Sequence, residues 1–172
     1  MKKKIMLLLF ILFVASANVI VHAEEQDTQE VITNAFNDKW EELEEQERIA
    51  YEMLLQQEIA KDLGIDVPET VFYEDNDGYL GYYNFNSNTV HINNHYKDEP
   101  HKIFRAICHE MRHAWQDAEI DKGTEQGQQY LNNLKNYIAP SEETIESYMT
   151  KNIIEVDAFA YQKMQVQKYL SK

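Results

Sequence analysis

The sequence predicts an α+β fold, mainly helical, with a small three-stranded antiparallel sheet packed beside one central helix. Three observations predict it. Apolar residues recur at three- and four-residue steps before residue 64 and again after residue 100, the period of amphipathic helices. Between these stretches, short runs rich in Thr, Val, Phe and Tyr are separated by Asp, Asn, Ser and Gly, as strands are by turns. After a leader, about 150 residues remain, the size of one domain with a real core.

The leader comes first. Lys2, Lys3 and Lys4 precede an unbroken apolar run from Ile5 to Val14, and small residues follow as far as Val21-His22-Ala23. That order is the pattern of a secretory signal peptide over residues 1–23, cleaved after Ala23, with Ala15-Ser16-Ala17 as an earlier alternative. The apolar run is shorter than the roughly 20 residues that span a bilayer. No cysteine stands at the cleavage point to carry a lipid. The expectation is a secreted protein without a stable membrane anchor, residues 24–172 forming a single domain. Its formal charge of −14 becomes −17 once the three leader lysines are removed (−14 − 3). Such a surface repels nucleic acid and anionic membrane. Cys108 is the only cysteine, so no intramolecular disulfide forms, and burial in a helix is the reading preferred over a reactive thiol.

From Asp27 to Leu63 the pattern reads as helix, broken once near Gln46. Ile32, Phe36, Trp40 and Leu43 begin an apolar stripe that Tyr51, Leu54, Leu55 and Ile59 continue. The acidic run from Glu41 to Glu45 lacks the spacing of a calcium loop and reads as solvated surface. Whether this N-terminal helical segment (24–64) covers a cleft is left to the structure. Three strands follow: Thr70 to Tyr73, Tyr79 to Phe85 and Thr89 to Asn93, with turns at Asp75-Asn76-Asp77-Gly78 and Asn86-Ser87-Asn88. They are expected to form an antiparallel meander.

Pro100 opens the central helix, which is expected to run to about Asp117. At about 100° per residue, Lys102, Arg105, His113 and Gln116 fall on the side of His109. Ile103, Phe104, Ile107, Met111, Ala114, Trp115 and Ala118 fall opposite, an apolar back behind a histidine face that suits the floor of a cleft. A short helix from Gln126 to Ile138 would turn Tyr130, Leu131, Leu134 and Ile138 inward. Ser141 then caps a long helix running to near Leu170.

The chemistry centres on Cys108-His109-Glu110-Met111-Arg112-His113. His109, Glu110 and His113 spell HExxH, which puts two imidazoles on one helical face with a carboxylate between them. A catalytic zinc needs a third protein ligand and one open position. The other histidines of the expected mature chain, His91, His95 and His101, all precede the motif. A carboxylate from the last helix is the better candidate. Glu155 sits among Ile153, Ile154, Val156 and Ala158, apolar company in which a glutamate needs a partner. Ala158, one turn on, permits close approach of two helices. Asp157 points about 160° away from Glu155 and reads instead as an outer acceptor or a surface charge.

With those residues in place, the arrangement resembles the minimal core of the zincin metallopeptidases, and within them the gluzincin type. Glu155-Val156-Asp157-Ala158-Phe159-Ala160 is similar to the second motif of ImmA/IrrE-type peptidases. The resemblance covers roughly Thr70 to Tyr161. It implies a secreted zinc-dependent peptidase with Zn2+ held by His109, His113 and Glu155. Glu110 would take the proton of the zinc-activated water, and the substrate would be a peptide or protein. Tyr148, two turns before Glu155 on the expected helix, is the candidate for stabilising the oxyanion, against a simpler reading as a buried aromatic. The resemblance also implies a substrate paired along an edge strand, expected at Thr89 to Asn93. Three other readings stay open: a non-catalytic binding or inhibitory protein on the same scaffold, a hydrolase of cell-wall peptides, and a helical interaction protein whose HExxH is accidental.

Overall fold

The computed structural model describes residues 27–76 and 78–171, so the leader and its cleavage site lie outside the described residues. Asp27 caps the first helix, α1 (Thr28–Asn34), by accepting the Gln29 N–H at 2.9 Å. The chain continues as a wide π turn, Ala35–Lys39, and a tight 3₁₀ turn, Trp40–Glu42. Those turns stack Phe36 on Trp40 with centroids 4.7 Å apart and set Phe36 edge-on to Phe104 at 5.3 Å. The helix breaks at extended Leu43 and Glu44, slightly ahead of Gln46, because Glu44 and Glu47 form a reciprocal capping box for α2 (Glu45–Leu63). Gly64 ends α2 at φ +66°, a conformation natural only to glycine.

The sheet holds β1 (Glu69–Tyr73), β2 (Gly81–Asn84) and β3 (Thr89–Asn93), in the order β1-β3-β2. It is mixed, not antiparallel throughout: β2 runs antiparallel to β3, but β1 runs parallel to it. Asn93 supplies the physical reason. Its buried side chain accepts the Asp75 N–H at 3.1 Å and donates to the carbonyls of Asp75 and Tyr79, both at 2.8 Å. The β1–β2 connection is thereby wrapped around the end of β3, which takes the centre of the sheet. With a neighbour on each side, β3 has no edge to offer a substrate, so the expectation for Thr89 to Asn93 fails and the free edge beside the central helix is β2.

The central helix, α3 (Pro100–Asp121), outruns its expected end by four residues. A tight turn joins it to α4 (Glu125–Lys135), where a Cβ on Gly127 would lie 2.1 Å from the Glu119 carbonyl. The long last helix is in fact two, α5 (Ile145–Lys151) and α6 (Ile153–Leu170), broken at Asn152 with φ −77° and ψ 97°. Asn152 is fully buried and clamps the backbone of Ile138, accepting its N–H at 3.1 Å and donating to its carbonyl at 2.8 Å. Its own carbonyl starts α6 by accepting the N–H groups of Glu155 and Val156. Among the described residues the architecture is thus six α-helices around a small sheet, with α3 in the middle.

The core lies on the back of α3, where Ile103, Phe104, Ile107 and Met111 meet Phe36 and Trp40, Leu55 and Ile59 of α2, Val90 and Ile92 of β3, and Tyr161 and Tyr169 of α6. Burial of this apolar area is the main term favouring the fold. Residues 27–63 pack against this core and contribute nothing to the cleft described below. No helix of the described residues is long and apolar enough to cross a membrane.

Candidate metal centre and cleft

The histidine face of α3 looks into a cleft of about 360 Å³, bounded on one side by β2 and on the other by residues from α4 to the start of α6. His109 and His113 follow from their i, i+4 spacing, which stacks side chains on one helical face. Glu155 follows from the break at Asn152, which begins α6 three residues before it, and from Ala158. That alanine is completely buried where α6 packs on α3. Together the three form a group able to hold a metal ion. His109 Nε2 lies 3.1 Å from His113 Nε2 and 3.2 Å from Glu155 Oε2, and His113 Nε2 lies 3.7 Å from that same oxygen.

Hydrogen bonds fix the protons around this triangle. Gln116 donates through Nε2 to the Ile154 carbonyl at 2.9 Å and to Asp157 Oδ2 at 2.7 Å. Its Oε1 is therefore an acceptor, and His113 Nδ1, 2.7 Å away, carries the proton. That leaves a lone pair on His113 Nε2, directed at His109 and Glu155. Asp157 is the anchor behind the relay, since Arg112 donates to both its oxygens at 2.8 and 2.9 Å and Tyr130 adds a third donor at 3.1 Å. The outer-acceptor reading of Asp157 is the one its geometry matches. His109 Nδ1, by contrast, is buried with no hydrogen-bond partner among the described residues. Phe159, 4.5 Å between ring centroids, packs against that imidazole.

Two phenols grip Glu155. Tyr148 donates to Oε2 at 2.9 Å, and Tyr137 donates to Oε1 at 2.8 Å. Tyr148 reaches it from the separate helix α5, across the break. Nothing in the sequence singles out Tyr137: it sits just past α4 with no periodicity around it, and the Asn152 clamp on its neighbour Ile138 helps to place it. Burial raises the Glu155 carboxyl, but its interactions with the His109 and His113 imidazoles and the bond donated by Tyr137 outweigh burial and hold the group well below the usual carboxylate range. For His113 burial alone would lower the pKa, and the Glu155 and Glu110 carboxylates turn the shift upward. Burial pushes Tyr148 far above a free phenol and Tyr137 up, with Glu155 adding to both.

Glu110 lies beside the triangle and under β2. Its burial raises its pKa against the pull of His109 and His113, and the Tyr83 backbone N–H donates to it. That bond follows from strand register. The Asn93 N–H reaches the Leu80 carbonyl at 2.9 Å, and pairing continues through Tyr82↔His91 and Asn84↔Thr89. By antiparallel alternation, Gly81 and Tyr83 then turn their peptide groups away from β3. At Gly81 a Cβ would stand 2.5 Å from the His91 carbonyl, so only glycine lets β2 lie so close to β3 at this point, with Glu110 Cγ in ordinary contact at 3.5 Å. Comparison of the chain with protein-family models, with curated proteins and with solved structures found no match in any of the three.

Proposed function

We propose that this chain is a zinc-dependent metallopeptidase of gluzincin type, acting outside the cell after loss of the leader read from its first 23 residues. The observation that carries the proposal is the triangle of His109, His113 and Glu155 with Glu110 beside it. Three ligand atoms converge within 3.1–3.7 Å in a buried place, an arrangement that suits a cation between them. A tetrahedral zinc with bonds of about 2.0–2.1 Å has ligand–ligand edges of about 3.3–3.4 Å, within the observed spread. Octahedral edges at that bond length are about 3.0 Å, a poorer fit to the 3.7 Å side. The donor set suits zinc: neutral imidazole Nε2 atoms, one carboxylate, and an outer relay from Gln116 and Asp157 that fixes the His113 tautomer.

When bound, zinc supplies a Lewis acid that brings water within reach of deprotonation near neutral pH and polarises a carbonyl. The chain's own residues do the rest. Glu110, held under β2 by the Tyr83 N–H, takes the proton of the attacking water and delivers it to the leaving amine. The outward N–H and carbonyl of Gly81 and the carbonyl of Tyr83 offer a substrate backbone an added strand. Tyr148 exchanges its bond to Glu155 for one to the developing oxyanion, and Tyr137 keeps the other carboxylate oxygen in place meanwhile.

Metal analysis of the purified mature chain beside Glu110→Gln and Glu155→Ala tests this. Wild type and Glu110→Gln should each hold one zinc, with peptide hydrolysis absent only from the latter, while Glu155→Ala loses most of its metal. A wild type without zinc in metal-replete buffer sinks the proposal. Zinc binding without hydrolysis of any peptide, including cell-wall peptides, transfers the site to a binding protein.

A further inference from the structure

The peptidase reading leaves the substrate undefined, and the walls of the cleft bear on it. One wall presents Tyr79, Tyr82 and Phe85, the other Leu134, Tyr137 and Tyr148, and no lysine or arginine lines the space between. Tyr79 and Tyr82 are 54% and 47% exposed, large for aromatic residues beside a buried site. Tyr82 is held flat against His91, with ring centroids 4.2 Å apart and planes 8° from parallel. Its face is a fixed surface.

Charge on the segments that build these walls is of one sign. From Glu74 to Phe85, the connection into β2 and the strand itself, the sequence carries three carboxylates, Glu74, Asp75 and Asp77, and no lysine or arginine. Glu74 and Asp75, on the connection into β2, are exposed. From Tyr137 to Tyr148 the second wall carries Glu142, Glu143 and Glu146, all exposed, again without a cation. None of these five exposed carboxylates is ion-paired among the described residues. The nearest cations in sequence to that wall, Lys135 and Lys151, lie outside it and are exposed. Lone acids on a surface mean little, but these lie in the chain segments that supply the walls of an aromatic groove, beside β2, an edge strand among the described residues.

We infer that the cleft is selective for basic peptides carrying a bulky apolar residue, bound extended along β2 and flanked by lysine or arginine. The apolar side chain enters between the aromatic walls, where its burial supplies affinity. Flanking cations meet the carboxylates on the wall segments and the exposed rings of Tyr79 and Tyr82. The negative field of the whole chain, formally −14, raises the encounter rate of such peptides and repels acidic ones.

The inference rests on the peptidase reading for its location, but binding tests it without catalysis. Labelled peptides with one central phenylalanine, flanked by Lys, Gln or Glu, would be titrated by fluorescence anisotropy against the zinc-loaded Glu110→Gln protein. The Lys-flanked peptide should bind about tenfold or more tighter than the Glu-flanked one in low salt, the gap narrowing several-fold at 0.5 M salt. Replacing the central phenylalanine by serine should weaken binding about tenfold. The charge reversals Glu74→Lys/Asp75→Lys and Glu142→Lys/Glu143→Lys/Glu146→Lys should each shrink the Lys preference and leave zinc content unchanged. Equal or reversed preference between Lys- and Glu-flanked peptides, or a preference indifferent to salt, overturns the inference whether or not the wild type cuts anything. Selective binding without cleavage by wild type upholds it and removes the peptidase reading alone.

Discussion

His109, Glu110 and His113 were legible in the sequence because their relation is local: an i, i+4 spacing on a helix with a plainly apolar back fixes which face they share. Glu155 was legible through its apolar neighbours. Tyr137 and Gln116 show where that legibility stops. Gln116 was placed on the histidine face, but its role depends on three partners, and two of them, the Ile154 carbonyl and Asp157, are about 40 residues away in the chain. The relay makes a testable claim. Gln116→Ala removes the acceptor that fixes the His113 tautomer and Asp157→Ala removes the carboxylate that orients that acceptor, and in each variant zinc affinity should fall about 10- to 100-fold. A competition titration with a chromophoric chelator reads that change. Unchanged affinity in both variants would mean that His113 is oriented by packing alone.

At the scale of elements, alternation along Thr89 to Asn93 shows which side chains face together but not which strands lie alongside. The strand order was set by Asn93 holding the β1–β2 connection, a contact that no periodicity announces. The same holds for the break at Asn152, where a buried asparagine that bonds Ile138 ended what the apolar pattern read as one helix. β2 gained importance from this. Gly81→Ala would drive a methyl to 2.5 Å from the His91 carbonyl, while meeting Glu110 Cγ only at an ordinary 3.5 Å. Relief needs β2 to shift, at a cost of about 1–3 kcal/mol. On the proposed function, the expected result is a lowered melting temperature, zinc content close to wild type, and hydrolysis reduced at least tenfold. Full activity in the variant would show that the strand is not held against the base.

For the whole molecule, the α+β class and its helical majority were readable from periodicity, and the core lies where the stripe on α3 put it. One buried group outside the site makes its own contribution to how stability responds to pH. Glu52 is 2% exposed, its Oε2 has no hydrogen-bond partner among the described residues, and burial pushes its pKa up to about 8, with Arg48 pulling the other way. The folded chain therefore keeps this proton up to about pH 8, whereas the unfolded chain releases it near 4.5. Between those values the folded state binds more protons, so this group's contribution to stability falls as pH rises, by up to about 1.4 kcal/mol per unit. Glu52→Gln should raise the melting temperature relative to wild type at pH 8 and bring no gain at pH 4.5. Parallel melting curves across that range would show that Glu52 ionises in place.

Cys108 gives the molecule a built-in clock. It is the only thiol, fully buried, with its pKa raised well above the ordinary value by burial, and it stands next to His109 on α3. An alkylating reagent reaches it only while α3 is lifted from the core, so the labelling rate counts those openings. A metal clasped by His109, His113 and Glu155 staples α3 to α6 and should slow the count by a factor of about 1 + [metal]/Kd. Mass spectrometry of alkylated protein, with and without zinc, would then time the breathing of the core and weigh the metal's hold on it in a single measurement. Labelling at the same rate in both would mean that the helix opens without parting the three ligands.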